Sequence, residues 1–273
     1  MTTTVHTGTA TSLGRQMLNK VPEVTLYFWV IKIMCTTVGE TAADYLNDNL
    51  GFGLTNTTYV TGALLVALLV AQFRLRRYVP AVYWSVVVVI SVFGTLITDN
   101  MTDRYNVPLT TSTIVFSIAL AAVFAAWYAS ERTLSIHSIV TTRREAFYWL
   151  AILFTFALGT AAGDLSAEKL DLGYAVSIAI FGGLIALVAF AHYALRLNPV
   201  LSFWLAYILT RPLGASIGDE MSQNSKKYGG LGLGTTGTSY IFLSCILALV
   251  VFLSVTRRDA TELRRGDALP EAA

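Results

Sequence analysis

A tryptophan followed ten residues later by glycine, and five after that by aspartate, occurs four times in this chain. The sets are Trp29, Gly39, Asp44; Trp84, Gly94, Asp99; Trp149, Gly159, Asp164; and Trp204, Gly214, Asp219. Each lies inside a long apolar segment. Recurrence at fixed spacing marks a repeat protein, whose units bury their apolar faces against one another. The four Trp are 55, 65 and 55 positions apart, so residues about 20 to 135 match 140 to 255 at an offset of 120. A two-helix hairpin duplicated twice accounts for both levels. Trp and Gly are common at membrane interfaces and helix contacts. The Asp needs a separate reason.

Hydrophobic residues make up 55% of the 273 and charged ones 13%, about half the charge of a soluble domain. Apolar segments near 22–45, 57–74, 79–99, 109–130, 145–166, 172–194, 198–219 and 236–255 predict an all-α integral membrane protein. Its eight transmembrane helices form four parallel two-helix repeats in two tandem halves. Runs of about 20 apolar residues favour helices over barrel strands, which alternate over about 10. Pro22, Pro80 and Pro199 stand where three odd helices are expected to begin, a place that tolerates proline. Polar turns such as Asn47 to Asn56 and Thr102 to Pro108 join the helices of a repeat. The expected organisation is a disordered cytoplasmic tail over 1–19, a first half with helices 1–4 over 20–137, a second half with helices 5–8 over 138–255, and a second cytoplasmic tail over 256–273.

Basic residues predict the orientation. One set of loops holds Arg15, Lys20, Arg74, Arg76, Arg77, Arg132, Arg143, Arg144, Arg196, Arg257, Arg258, Arg264 and Arg265; the opposite set holds only Arg104, Lys169, Lys226 and Lys227. Both termini are therefore expected in the cytoplasm, with the chain multi-pass in a bacterial inner membrane. Residues 1–19 carry no apolar stretch resembling a cleavable signal. The net charge of +2 follows from this asymmetry and calls for no nucleic acid partner. Cys35 and Cys245 match no metal or redox spacing and read as apolar fillers. His6, His137 and His192 fall in a tail, a loop and a helix end, where a lone His is structural or solvated.

In that orientation each odd helix carries its Asp about 15 residues, or roughly 22 Å, beyond its Trp. A carboxylate at the C-terminal end of a helix is repelled by the macrodipole. Solvent can offset this; so can a bound cation. More acids crowd the same level. Asp48, Asp103 and Glu168 follow their repeat Asp by four residues and share its face if the helix continues. Glu40 precedes Asp44 by one turn, Glu220 follows Asp219, and Gln223 takes the fourth-repeat place of the extra acid. Small residues at 39–43, 94–95, 159–163 and 214–218 let the odd helices gather about an axis, with the even helices outside.

The candidate metal-binding set is thus Asp44, Asp99, Asp164, Asp219, Glu40, Asp48, Asp103, Glu168 and Glu220. Oxygen donors without convergent His or Cys favour a hard cation such as Mn2+, Mg2+ or Ca2+, or a proton or Na+. Met34, Met101 and Met221 nearby tilt the choice toward Mn2+. The cation is expected as substrate, with no organic cofactor. Lys32 and Arg211 lie inside spans, where each needs a partner or a wet cavity. Either is a candidate internal counter-ion that takes the acid site when the substrate leaves, or else is fixed to Glu23, Glu40 or Glu145. A break at Pro212, directly after Arg211, would free carbonyls near the site.

The segment KVPEVTLYFWVIKIMCTTVGETAADYL from Lys20 to Leu46, with later echoes EAFYW at Glu145 and FALGTAAGD at Phe156, resembles an uncharacterised family of bacterial multi-spanning inner-membrane proteins. The resemblance spans residues 20 to 255 and implies a multi-spanning repeat protein; it carries over no activity.

From the residues, the leading expectation is a transporter of small inorganic cations, divalent metal foremost, working by rocking one half against the other. An intramembrane enzyme using carboxylates as acid and base on a lipid or prenyl substrate is the second class. Near-equal repeats supply equivalent groups, whereas catalysis wants distinct ones, so the expectation is no enzyme. A structural or sensory membrane protein is the third. The expected partners are the lipid bilayer and an inorganic cation; a homo-oligomer is left open.

Overall fold

A computed structural model describes residues 19–49, 51, 53–170, 172–224 and 230–259. Of the tails expected over 1–19 and 256–273, residues 1–18 and 260–273 lie outside the described residues, while Thr256 still belongs to the last long helix and Asp259 is buried. Eight long helices follow one another: α1 (Leu26–Asp44), α2 (Gly53–Arg74), α3 (Pro80–Asp99), α4 (Leu109–Glu131), α5 (Thr142–Asp164), α6 (Tyr174–Leu195), α7 (Pro199–Ser222) and α8 (Gly234–Thr256). Seven of them are long and apolar enough to cross a membrane. The exception is α1, whose 19 residues include Lys32, Glu40, Asp44 and three threonines.

Local sequence explains the boundaries. Pro80 and Pro199 open α3 and α7 as expected, and Asn198 caps α7 by accepting from the amides of Val200 and Leu201. Pro22 does not open α1. Thr25 is its cap and accepts from Phe28 N, so Pro22 stays in the preceding extended segment. The even helices α4, α6 and α8 end at Arg132, Arg196 and Arg257, each in the left-handed conformation. A cation at that position meets the negative end of the helix dipole.

The odd helices form a closed ring in which α1 packs on α3, α3 on α5, α5 on α7, and α7 back on α1. Each even helix packs on the odd helix of the following repeat: α2 on α3, α4 on α5, α6 on α7, and α8 on α1. No repeat buries its own apolar face, and closure of the fourth onto the first completes the core. The even helices turn apolar side chains outward, among them Val60, Leu64, Ile118, Leu187, Phe190, Leu247 and Val251, all exposed.

The ring is drawn tight by the repeat glycines. A Cβ on Gly39 would lie 2.8 Å from Ser91 Cβ, one on Gly94 2.6 Å from Phe156 Cβ, and one on Gly214 2.6 Å from Thr36 Cβ; on Gly159 it would overlap Arg211 Cβ and Cγ. Thr36, Ser91, Phe156 and Arg211 are one and the same repeat position. Each glycine therefore receives the equivalent side chain of the next repeat, and the fourth receives that of the first.

Three of the four repeat Trp are buried at the end of the ring away from the Asp: Trp84, Trp149 and Trp204 sit in an aromatic cluster with Tyr83, Tyr148, Phe203 and Tyr207. They act as core aromatics rather than as an exposed interfacial belt. The segment before α1 is tied to this end. Lys20 Nζ donates to Glu145 Oε2 at 2.6 Å and to Phe73 O at 3.1 Å, and Gln72 Nε2 donates to Glu145 Oε1 at 3.1 Å. Glu145 is fully buried. Lys20→Met is expected to cost about 2 kcal/mol, the worth of a buried hydrogen bond to a charged group, read from the thermal melting of the purified protein.

Candidate functional site

The repeat spacing, stepped in fours, generates the axis of the ring. Starting one residue before each Trp, the rows are Phe28, Tyr83, Tyr148, Phe203; Lys32, Val87, Ile152, Tyr207; Thr36, Ser91, Phe156, Arg211; Glu40, Thr95, Thr160, Ala215; and Asp44, Asp99, Asp164, Asp219. A four-residue step on a helix keeps the same face and rises about 6 Å. All sixteen side chains of the first four rows are buried. In the last row only Asp219 is buried, and Asp44, Asp99 and Asp164 are half-buried. The axis is dry up to the carboxylates and becomes accessible at their level.

The acids converge there. Ligand oxygens of Glu40, Asp164 and Asp219 all lie within 4.8 Å of one another. Asp99 stands among the charges of Glu40, Asp44, Asp164 and Asp103. In repeats one to three the α-helix ends at the Asp itself and widens into a five-residue π-helical turn, over 45–49, 100–104 and 165–169. Three repeats thus place a carboxylate where an α-helix gives way to the wider turn often found at functional sites.

That widening corrects one expectation. In a π turn the next residue on the same face is reached after more than four positions, so Asp103 is turned away from the face of Asp99. Asp103 is accordingly exposed. The side chains of Asp48 and Glu168 lie outside the described residues. Glu220 is half-buried on α7 beside Asp219. Gln223 ends that helix in an extended conformation. Met34 and Met101 pack against apolar clusters, so their part is filling space.

Below the acids sits Arg211, wholly buried. Its Nη2 donates to Glu40 Oε2 at 2.9 Å, to Thr160 Oγ1 at 2.6 Å and to Thr95 Oγ1, and its Nη1 donates to Thr36 O at 3.1 Å. Arg211 therefore reaches up one row and touches all three polar members of the Glu40 row, one from each of the other repeats. Gly159 is the residue that admits its stem. The Nε–H finds no acceptor among the described residues. Helix α7 continues as one helical run through Pro212, contrary to the expected break, and packs there between α1 and α5.

Lys32 lies two rows below Glu40 and pairs with none of the three glutamates considered for it. Arg211 holds Glu40, Lys20 holds Glu145, and Glu23 lies 3.7 Å from His137. The lysine Nζ instead faces the rings of Phe156 at 4.0 Å and Tyr207 at 4.3 Å.

The family described as Repeat of Unknown Function (DUF347) matches residues 27–78, 82–133, 147–198 and 202–259. The chain belongs to this family. Each DUF347 repeat starts two residues before its Trp, so the family boundaries and the Trp spacing give one register. Within the repeat, the odd helix carries Gly to the contact with the next odd helix and Asp to the axis, while the even helix reaches over to the next repeat. No curated protein and no solved structure matches the chain.

Thr36, Thr95 and Thr160, the partners of Arg211, escape a reading centred on Trp, Gly and Asp. Their signal is nonetheless in the sequence, because stepping back from each Asp by four, and by four again, recovers them.

Proposed function

We propose that this DUF347 protein is a membrane-embedded transporter of small inorganic cations, divalent metal foremost, with Mn2+ or Mg2+ ahead of Ca2+. The observation that carries the reading is the meeting of Glu40, Asp164 and Asp219 oxygens within 4.8 Å above a buried guanidinium. Oxygens around one hard cation stand roughly 3 to 5 Å apart, given metal–oxygen distances of about 2.0 to 2.6 Å. Asp44 and Asp99 complete the acid row above Arg211.

Arg211 gives the site its exchange partner. A cation bound at Glu40 repels the guanidinium that the same carboxylate holds, so the two compete for it, and the Nε–H, without an acceptor among the described residues, leaves the arginine incompletely held. The dry rows beneath close the axis toward the Trp end. An outer layer of exposed apolar helices suits a lipid bilayer, and the arginine-rich loops at the Trp end favour the cytoplasmic side of a bacterial inner membrane for both termini.

Purified protein should melt at higher temperature in Mn2+ or Mg2+, by about 2.7 kcal/mol of stabilisation at a hundredfold excess over Kd. Asp219→Asn and Glu40→Gln are expected to reduce this shift, and Asp103→Asn, on an exposed acid, to leave it. No shift with any divalent cation up to millimolar concentration defeats the reading.

A further inference from the structure

The fourfold repeat is broken on the outer side of the ring, near the Trp end. In the family register residues 82–133 match 147–198 at an offset of 65, so Phe124 and Trp127 of α4 correspond to Ala189 and His192 of α6. Phe124 and Trp127 pack on Trp204 with ring centroids 4.9 and 5.8 Å apart, and Trp204 is buried. Two repeats separate α4 from α7, as they separate α6 from α1, so Ala189 and His192 stand toward Trp29 as that pair stands toward Trp204. The smaller side chains do not fill the gap. Trp29 is only half-buried, and a cavity of about 460 Å³ lies between it, Ala189 and His192, a size usual for ligand sites. A second departure meets the first. Ten residues, 132–141, join the two halves, where five (75–79) and three (196–198) join the repeats within them. The longer loop brings Ser135 and His137 to the same cavity.

The shape follows α7. One wall runs over Pro199, Phe203, Ala206 and Thr210, about 16 Å of helix and so about half of a bilayer's roughly 30 Å hydrocarbon core. Trp29, Ile33 and Val188 face it. Ser202 and Thr210 donate their hydroxyl protons to their own helix, at Asn198 O and Tyr207 O. The polar side chains offered to a ligand are therefore those of the Trp end, Ser135, His137 and His192. That end is also basic. Arg132 opens the loop and Arg196 follows α6, both exposed. Of the acids beside them, Glu23 lies 3.7 Å from His137 and Glu131 is held by Arg144 at 2.7 Å. A slot one leaflet deep, apolar along its length and basic at its polar end, matches the chain and headgroup of an acidic membrane lipid.

We infer that this slot binds an anionic phospholipid, with one acyl chain lying between α1, α6 and α7 and the phosphate meeting His137 and His192, in the positive field of Arg132 and Arg196. The inference rests on the membrane part of the proposed function and is independent of the cation. The Phe124 and Trp127 plug gives the equivalent gap beside Trp204 no such site. The loop between the halves supplies the headgroup end, so the lipid ties the first half to the second.

The test uses the full chain purified in an uncharged detergent, with dioleoylphosphatidylglycerol as probe and native mass spectrometry to count the lipid retained. The wild type is expected to hold one such lipid about tenfold more tightly than dioleoylphosphatidylcholine or oleate. Ala189→Phe restores the side chain of the preceding repeat. It should weaken that binding about tenfold, with a melting temperature no lower than that of the wild type. Equal retention by variant and wild type overturns the proposal, as does phosphatidylcholine or oleate held as tightly as phosphatidylglycerol. Should Ala189→Phe not fold, phosphatidylglycerol carrying a diazirine at the end of one acyl chain is photolysed on the wild type. Label at Ile33, Val188 or Ala206 is expected, and label confined to outward residues such as Val60 and Leu247 overturns the proposal. No metal enters either measurement, so a failure here is distinct from a failure of the cation reading.

Discussion

Arg211→Met is expected to destabilise the cation-free protein by about 3 to 5 kcal/mol, the cost of stranding a buried charge by removing its partner. Glu40 is 7% exposed and, among the described residues, has no other cation in contact. Methionine fills most of the stem volume, so the cost comes from the charge and the lost bonds rather than from a cavity. The same substitution removes the competitor for Glu40. The Mn2+-induced rise in melting temperature is therefore expected to be larger in Arg211→Met than in the wild type. The double variant Glu40→Gln, Arg211→Met should lose much less than the sum of the two single losses, because the groups share one interaction. Additive losses together with an unchanged Mn2+ response would show that Glu40 and Arg211 are not coupled and that Arg211 does not compete with a cation.

Much of this architecture is legible in the sequence because the repeat constrains it four times over. Apolar runs mark where the helices lie, and the position of Gly beside Asp places the odd helices at the centre, where Gly39, Gly94, Gly159 and Gly214 each receive the next repeat. What escapes the sequence is mostly a matter of which face meets which neighbour. A short turn between α1 and α2 reads as a hairpin, yet α2 packs on α3; connection length fixes adjacency along the chain and says nothing about a partner that arrives one repeat later. The π turns are likewise silent. The residues after Asp44, Asp99 and Asp164, namely YLNDN, NMTDR and LSAEK, contain no proline or glycine to announce a change of helix, so Asp103 reads as part of the acid face until the widened turn moves it out. Lys32 and Arg211 both read as cations seeking a glutamate. The ring geometry separates them, giving Glu40 to Arg211 and leaving Lys32 among aromatic rings.

Gly159→Ala is expected to be the most damaging of the single-methyl additions, costing about 3 kcal/mol or more, the upper end of what overpacking causes. Its new methyl would overlap Arg211 Cβ and Cγ and come within 3.0 Å of Pro212 Cδ. Those atoms are the root of the side chain and a ring locked to the backbone, so no rotamer change relieves the clash; α5 and α7 must separate or Arg211 must leave the axis. Either response pulls the guanidinium away from Thr95, Thr160 and Glu40, so the variant should lose the arginine's effect on cation response as well as stability. Gly214→Ala meets Thr36, whose hydroxyl is already bound to Ile33 O at 2.5 Å, and should follow closely. Gly182 and Gly183 in α6 supply the contrast, since a Cβ at either meets nothing within 4 Å. Alanine there removes backbone freedom without a clash and should stabilise by about 0.5 to 1 kcal/mol. Melting temperatures of the four variants test whether glycine is demanded by ring closure or merely tolerated in apolar helices. Similar losses at Gly159 and Gly183 would mean that the odd helices do not meet at the axis in the way their spacing requires.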